Sequence, residues 1–480
     1  MAMAIDIARN SGIFTAGRWI GKLLGLFTVI ILAPYFLPEL FGQYSLIIVF
    51  LGFFLFLNDF GVYTLLIREI SRDKSKAREY LGNALGLKLV LSVFALILTV
   101  LAAHLMGYPP EITLPISIYA VTILIGGIGS VFGIIFQANL KMEYEVISEF
   151  IERVLFLGIV LFVIYNLPKE QAMVPLFIGL VFSVLIANIV KYFFFRRLIS
   201  IRPMFNFTLW KSFLKAAWPF ALLTFFVAIY GRIDVLMLSK MSGEAAVGFY
   251  SSGYRLTDSL TLIPTALVIS LFPLMSHYHK TSKDKLVNMH RLAFKYIVIL
   301  ALPMAVGTAF LSDKILLTLY GAEFFKGEPL GFLNLAILIF ATLFVFLNYV
   351  NNYLLNSMNR EKTALAVLSA GIVVNVFLNF LLIPDYSYIG AAFATLVTEI
   401  LVFAVFVILV WRLLYLIGLG VFVRPLIASA IMASIIILLP EISLFIVVPL
   451  AALAYFISLY IIRGFTHQDK DILKRIIFRG

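Results

Sequence analysis

Pro38–Val49 reads PELFGQYSLIIV, and Glu244–Leu256 reads EAAVGFYSSGYRL. Gly42-Gln43-Tyr44-Ser45 and Gly248-Phe249-Tyr250-Ser251 are one short signal used twice, at half-chain spacing. In each copy an apolar run ends, a short acidic turn follows, and Gly-x-Tyr-Ser opens the next run. Gly and Tyr are common at membrane–water interfaces, where Tyr anchors to head groups. A four-residue match therefore gains meaning only from where each copy falls in the chain.

The surroundings are apolar throughout. Of 480 residues, 62% are hydrophobic and 13% are charged. A soluble chain cannot hide that much apolar surface in a core. The apolar residues come in runs of about 20, the length that crosses a bilayer as a helix. In hydrocarbon every backbone amide must be paired internally, so helices or a closed barrel are the choices. Period-2 alternation is missing, which selects helices. There is no Cys, so disulfides and thiolate metal sites are excluded, and the scattered His residues predict no metal site. No cofactor motif is present. The first span, with Arg18 and Lys22 inside it, reads as a retained helix and not as a signal peptide.

Fourteen apolar segments follow one another, from near residue 12 to near 462. Joined in order, they sort the loops into two sets. About 27 Lys and Arg fall in one set and about 4 in the other, which places the first set and both termini in the cytoplasm. The net charge of +12 is thereby explained by topology and by anionic lipid head groups, and nucleic acid is not an expected partner.

In this map Gly42 and Gly248 both stand at an external turn, before the second and the eighth span. Six spans separate them, so both copies point the same way. The reading is an all-α polytopic membrane protein with about 14 transmembrane helices. Two six-helix bundles form a pseudo-twofold parallel repeat, 1–205 and 206–415, and two additional helices with a basic cytoplasmic tail occupy 416–480. Parallel repeats of this kind build transporters whose substrate site lies between the halves.

Several motifs, in this order, resemble the polysaccharide-precursor (O-antigen type) flippases of the multidrug/oligosaccharidyl-lipid/polysaccharide exporter superfamily. They are NDFGVYTLLIRE (Asn58–Glu69), GRIDVLMLSKMSGEAAVGFYSSGYRL (Gly231–Leu256), LYGAEF (Leu319–Phe324), NSMNREK (Asn356–Lys362), NVFLNFLLIP (Asn375–Pro384) and IGAAFATL (Ile389–Leu396). The resemblance covers essentially the whole chain. It implies movement of a lipid-pyrophosphate-linked oligosaccharide from the inner to the outer leaflet of a prokaryotic plasma membrane. Glycan-assembly proteins are then expected partners, beside membrane lipids.

Charges within the spans are costly, roughly 2.5–3.5 kcal/mol each at a helix centre, so they face a wet cavity or a partner. Arg18 and Lys22 lie four apart on one helix face and have no acid nearby in sequence. Arg232 and Asp234 lie in the seventh span, and Arg255 and Asp258 three apart in the eighth. These four read either as salt bridges between helices or, for the bases, as a cationic lumen for a pyrophosphate, which the Arg fork suits. Lys88 and Arg153 read as snorkelling to the cytoplasmic surface. Glu399, central in the twelfth span, is expected to be protonated in place or to carry coupling H+ or Na+. Asp59 is expected to cap a turn or pair with a base, and Asp59, Asp234 and Asp258 stand with Glu399 as possible coupling or charge-pair residues.

The tenth span carries Asn348, Asn352, Asn356 and Asn359 on one face, with Asn351 beside them. That stripe reads as a contact for sugar hydroxyls or as glue between helices. Asn375 and Asn379 read as glue. Gly129-x-x-x-Gly133 reads as a close approach of two helix backbones. Pro219, Pro264, Pro273 and Pro303 read as kinks.

A cation-coupled multidrug or metabolite exporter on the same fold is the alternative. The scarcity of acids in the spans favours an anionic substrate. A membrane enzyme would need acid/base or nucleophilic groups in an external domain, and the external loops here are short, so the chain is not expected to be an enzyme.

Overall fold

In a computed structural model the described residues are 2–465, and every long element is an α-helix. The side chain of Arg18 lies outside the described residues. By compactness the chain divides into two units, 1–248 and 249–480.

In the first unit, α1 (Ala2–Asp59) is followed by α2 (Val62–Arg72), α3 (Ala77–Leu105), α4 (Pro110–Ala138), α5 (Met142–Asn166), α6 (Met173–Leu198) and α7 (Phe207–Met241). α8 (Glu244–Leu260) begins there and runs on into the second unit. The second unit continues with α9 (Leu262–Thr281), α10 (Lys283–Phe310), α11 (Ser312–Tyr320), α12 (Gly331–Ser357), α13 (Glu361–Leu413), α14 (Gly420–Leu438) and α15 (Leu444–Ile461).

Among the described residues, ten helices are long and apolar enough to cross a membrane. Two of them contain a break. In α1, Leu37 leaves the helical region (φ 59, ψ 177). The cause is Pro38, whose ring disfavours helical geometry at the preceding residue. In α13, Ser387 does the same (φ 51, ψ −132), three residues after Pro384. Gly390 then passes so close to the Leu382 carbonyl that a Cβ would lie 2.4 Å from the oxygen. Each broken helix supplies two of the expected spans. α5 and the α8–α9 pair complete the fourteen. The eighth span is divided at Thr261, so Pro264 stands in the first turn of α9, where its missing N–H costs nothing, and not inside a kinked helix.

The repeated signal closes on itself. A Cβ on Gly42 would lie 1.7 Å from the Glu244 carbonyl oxygen, and one on Gly248 would lie 2.0 Å from that of Pro38. The turn after the α1 break and the first turn of α8 therefore meet backbone to backbone. The adjoining tyrosines are buried and do not anchor at the interface. Tyr44 packs among Phe36, Phe41 and Phe177. The Tyr250 ring lies 5.8 Å from that of Tyr254, tilted by 30°, and its hydroxyl lies 3.4 Å from Thr395 Oγ1.

The core of the first unit forms around the apolar face of α2 (Val62, Leu65, Leu66, Ile70), packed on Val131 and Phe136 of α4 and Trp210 and Phe213 of α7. In the second unit Phe294, Ile297 and Leu302 of α10 meet Phe346 and Leu354 of α12 and Val410 of α13. α14 and α15 pack on α10 through Met432, Tyr455 and Ile299. The Tyr455 hydroxyl donates to the Ile299 carbonyl at 2.8 Å.

Candidate functional site: two intramembrane polar clusters

In the first unit α1 ends at Asp59, Gly61 takes a left-handed conformation (φ 76), and α2 begins. The Asp59 carboxylate bridges the break. It accepts the N–H of Gly61 at 3.1 Å and of Tyr63 at 3.3 Å, satisfying donors that a helix start leaves open. It also forms an ion pair with Lys88 of α3, whose side chain is 1% exposed. Both roles expected of Asp59 are thus present. The snorkelling expected of Lys88 is not: its stem is enclosed by the bundle, and the ammonium finds a carboxylate inside instead of the surface. Arg153 is exposed, as a snorkelling side chain would be, with its guanidinium beside Gly25 of α1.

Beside that pair, Asn58 ties three helices together. Its Nδ2 donates to the Ile123 carbonyl of α4 at 3.2 Å, and its Oδ1 accepts from Ser92 Oγ of α3 at 2.6 Å. Further along, the Tyr63 hydroxyl donates to Glu145 Oε1 at 3.2 Å. Gln137 Nε2 donates to both the Tyr63 oxygen (2.6 Å) and Glu145 Oε2 (3.1 Å).

The glycines of α4 make room for these groups. A Cβ on Gly127 would lie 2.2 Å from Ser92 Oγ, one on Gly129 1.6 Å from Asn188 Oδ1, and one on Gly133 3.1 Å from the Tyr63 hydroxyl. Gly129 and Gly133 were expected to admit another helix backbone. They admit polar side chains instead, because the visitors come from α6 and α2 at side-chain distance.

In the second unit several interior bonds are made by amides. Glu399 of α13, 4% exposed, accepts from Asn348 Nδ2 of α12 at 2.8 Å. Asn356 and Asn352 lie 3.5 Å apart along α12, both half-buried. Asn351 is fully buried and donates back to the Leu347 carbonyl. Asn359 does not continue the stripe. It sits past the end of α12 with φ 57, while Asn359 N–H bonds to the Asn356 carbonyl and Arg360 N–H to that of Leu355. This is a helix C-terminal cap, a position where Asn tolerates the left-handed conformation. Asn379 Nδ2 donates to Asn375 Oδ1 at 3.0 Å along α13.

The remaining charges are placed by their own units. Lys22 is half-buried on α1, Arg232 is half-buried on α7, and Asp234 is buried there. Arg255 and Asp258 are half-buried on α8. Arg255 lies within electrostatic reach of Tyr320, and Asp258 within reach of Tyr349. Each of these charges engages a neighbouring group.

Three groups went unread in the sequence: the Tyr63–Gln137–Glu145 triad, Asn334, and the His290–Tyr415 pair. Asn334 of α12, fully buried, donates to the carbonyls of Phe249 (2.7 Å) and Tyr250 (3.1 Å), holding the second copy of the repeated signal. A lone Asn in an apolar run was the available clue. His290 Nδ1 lies 2.8 Å from the Tyr415 hydroxyl. Among the described residues there is no group of three or more metal-ligating side chains.

The sequence model of the family described as "Polysaccharide biosynthesis protein" matches residues 7–279, more than half of the chain. The chain belongs to that family. A second model, MatE, matches residues 219–381. A membrane protein of Methanocaldococcus jannaschii, described as uncharacterized, is 26% identical over 227 residues. That match covers 46% of this chain and 52% of the relative, so the chain aligns with about half of that protein's length. Agl15 of Haloferax volcanii, named "Probable low-salt glycan biosynthesis flippase", is 23% identical over 410 residues, 82% of this chain and 80% of the relative. Among solved structures, "Lipid II flippase MurJ, inward closed conformation" superposes with a TM-score of 0.75 at 17% identity, covering 94% of this chain and 98% of that one. The fold is therefore the one expected, that of the multidrug/oligosaccharidyl-lipid/polysaccharide exporters, and the chain is a multi-pass membrane protein.

Proposed function

We propose that this protein is a flippase that moves a lipid-pyrophosphate-linked oligosaccharide from the inner to the outer leaflet by alternating access. The observation that carries the reading is the match to a glycan-biosynthesis flippase along 82% of the chain, on a family model for polysaccharide biosynthesis. In this reading Arg18, Lys22, Arg232 and Arg255 are the candidate anion-binding residues, the guanidinium groups because they bind phosphate oxygens in pairs and Lys22 as a point charge. Asn352 and Asn356 offer amides to sugar hydroxyls, and Asn348 acts through Glu399. Asp59, Asp234, Asp258 and Glu399 are the candidate coupling or charge-pair residues for H+ or Na+, with Asp59 paired to Lys88. The six-span bundles 1–205 and 206–415 are the moving halves, with 416–480 outside them. Both termini face the cytoplasm of a prokaryotic cell, the chain catalyses no covalent step, and glycan-assembly proteins are its neighbours.

A cation-coupled multidrug exporter is the second reading, favoured by the MatE match over residues 219–381. Deleting the gene separates the two. Loss of surface glycan with accumulation of its lipid-linked precursor is expected. Unchanged glycan with new sensitivity to cationic drugs would contradict the flippase.

A further inference from the structure

At the start of α10 the second unit carries a cavity of about 630 Å³ that no part of the transport reading uses. One wall is a single face of α10: Asn288, Arg291 and Lys295, spaced three and four apart. The other wall is Tyr415–Gly418, in the link between α13 and α14, with Gly420 and Val421 of the first turn of α14. No carboxylate lines the cavity among the described residues.

Side-chain contacts join the two walls. The Arg291 guanidinium stands 4.5 Å over the Tyr415 ring, a cation–π contact that fixes its plane. The Tyr415 hydroxyl in turn reaches the buried His290 at 2.8 Å. Burial pushes that phenol up to about 12, so it stays a neutral hydrogen-bonding group at physiological pH. Leu416, which lines the cavity with the cations, is 62% exposed. The site thus joins fixed positive charge to exposed apolar surface at the end of membrane-spanning helices.

We propose that this cavity binds the phosphodiester head group of an anionic membrane lipid, with Arg291 and Lys295 on the phosphate and Leu416 against the first acyl carbons. A free phosphate ion would use the same cations but gain nothing from Leu416. Lipid held here would brace the α13–α14 link against α10. Basic pockets between transmembrane helices are a general means of holding anionic lipid.

The test uses the full-length protein in detergent, with lipid retention read by native mass spectrometry. Phosphatidylglycerol is expected to be retained in preference to phosphatidylcholine. Each cation near the head group contributes about fivefold in affinity, so Arg291→Gln with Lys295→Gln should weaken retention about 25-fold. Asn288→Glu, at an exposed position where folding is not at stake, should also weaken it by placing an anion in the cavity. Unchanged retention by both variants overturns the site. Displacement of the lipid by equimolar inorganic phosphate overturns the lipid assignment, since it makes free phosphate the ligand.

Discussion

The two units solve the same problem, polar groups among apolar helices, in different ways. In the first unit a full charge is met by a full charge: Asp59 by Lys88, with Asn58, Ser92 and the Tyr63–Gln137–Glu145 triad packed around them. Glycines of α4 leave the space those side chains need. In the second unit the acid Glu399 accepts from an amide, Asn348, and further interior bonds come from the Asn334 and Asn379 amides and the Tyr455 hydroxyl. Neutralising a buried charge makes a joint that is costly to open. An amide partner leaves the carboxyl able to exchange a proton or an ion without losing its bond. In the proposed transport reading the first cluster is the brace and the second is the candidate place for coupling.

The largest effect should come from opening the ion pair. Lys88→Ala leaves Asp59, 31% exposed, without its cation beside the α1–α2 break, and loss of this half-buried pair should cost about 2–3 kcal/mol, below the figure for a fully buried pair. Protein abundance and thermal midpoint in detergent should fall sharply. Lys88→Met combined with Asp59→Asn should recover most of the loss, because an apolar replacement removes the desolvation cost along with the attraction. A double variant as unstable as the single one would show that the pair is not the brace.

Next in size is a contrast between neighbouring glycines of α4. Gly127→Ala puts a methyl within 2.2 Å of Ser92 Oγ and 2.8 Å of Asn58 Oδ1, so the bond between them must part. Overpacking of this kind costs about 1–3 kcal/mol. Gly126 meets nothing within 4 Å, and its replacement by Ala should stabilise the helix by up to about 1 kcal/mol. Thermal midpoints moving in opposite directions sharpen the comparison, and midpoints moving together break it.

The smallest stability change should be in the second unit. Glu399→Gln keeps an oxygen for Asn348 to donate to, so abundance should stay near normal while ion-dependent transport falls. Asn348→Leu leaves the carboxyl without that donor and should cost about 1–3 kcal/mol. If Glu399→Gln transports with unchanged ion dependence, the coupling role of the amide cluster fails.

Much of this was legible in the chain. Runs of about 20 apolar residues give the spans, because bilayer thickness sets their length. The α1 break could be read from Pro38, which restricts the residue before it. Hydropathy reports depth but not neighbours, however. Lys88 and Asp59 lie on different helices, and nothing in either run names the other. Gly129-x-x-x-Gly133 announces close approach without saying whether a backbone or a side chain arrives. Asn359 fits the helical period of the Asn stripe, yet periodicity does not show that α12 has already ended at Ser357.

The central claim is that the cargo is a lipid carrying a pyrophosphate-linked glycan. The direct measurement is made in proteoliposomes holding the purified protein and a fluorescent lipid-pyrophosphate oligosaccharide initially confined to one leaflet. The account predicts that label crosses to the other leaflet faster than in protein-free vesicles, and that Arg255→Ala slows this in a stably folded protein. Crossing no faster than in empty vesicles, with an organic cation transported by the same preparation, would contradict it.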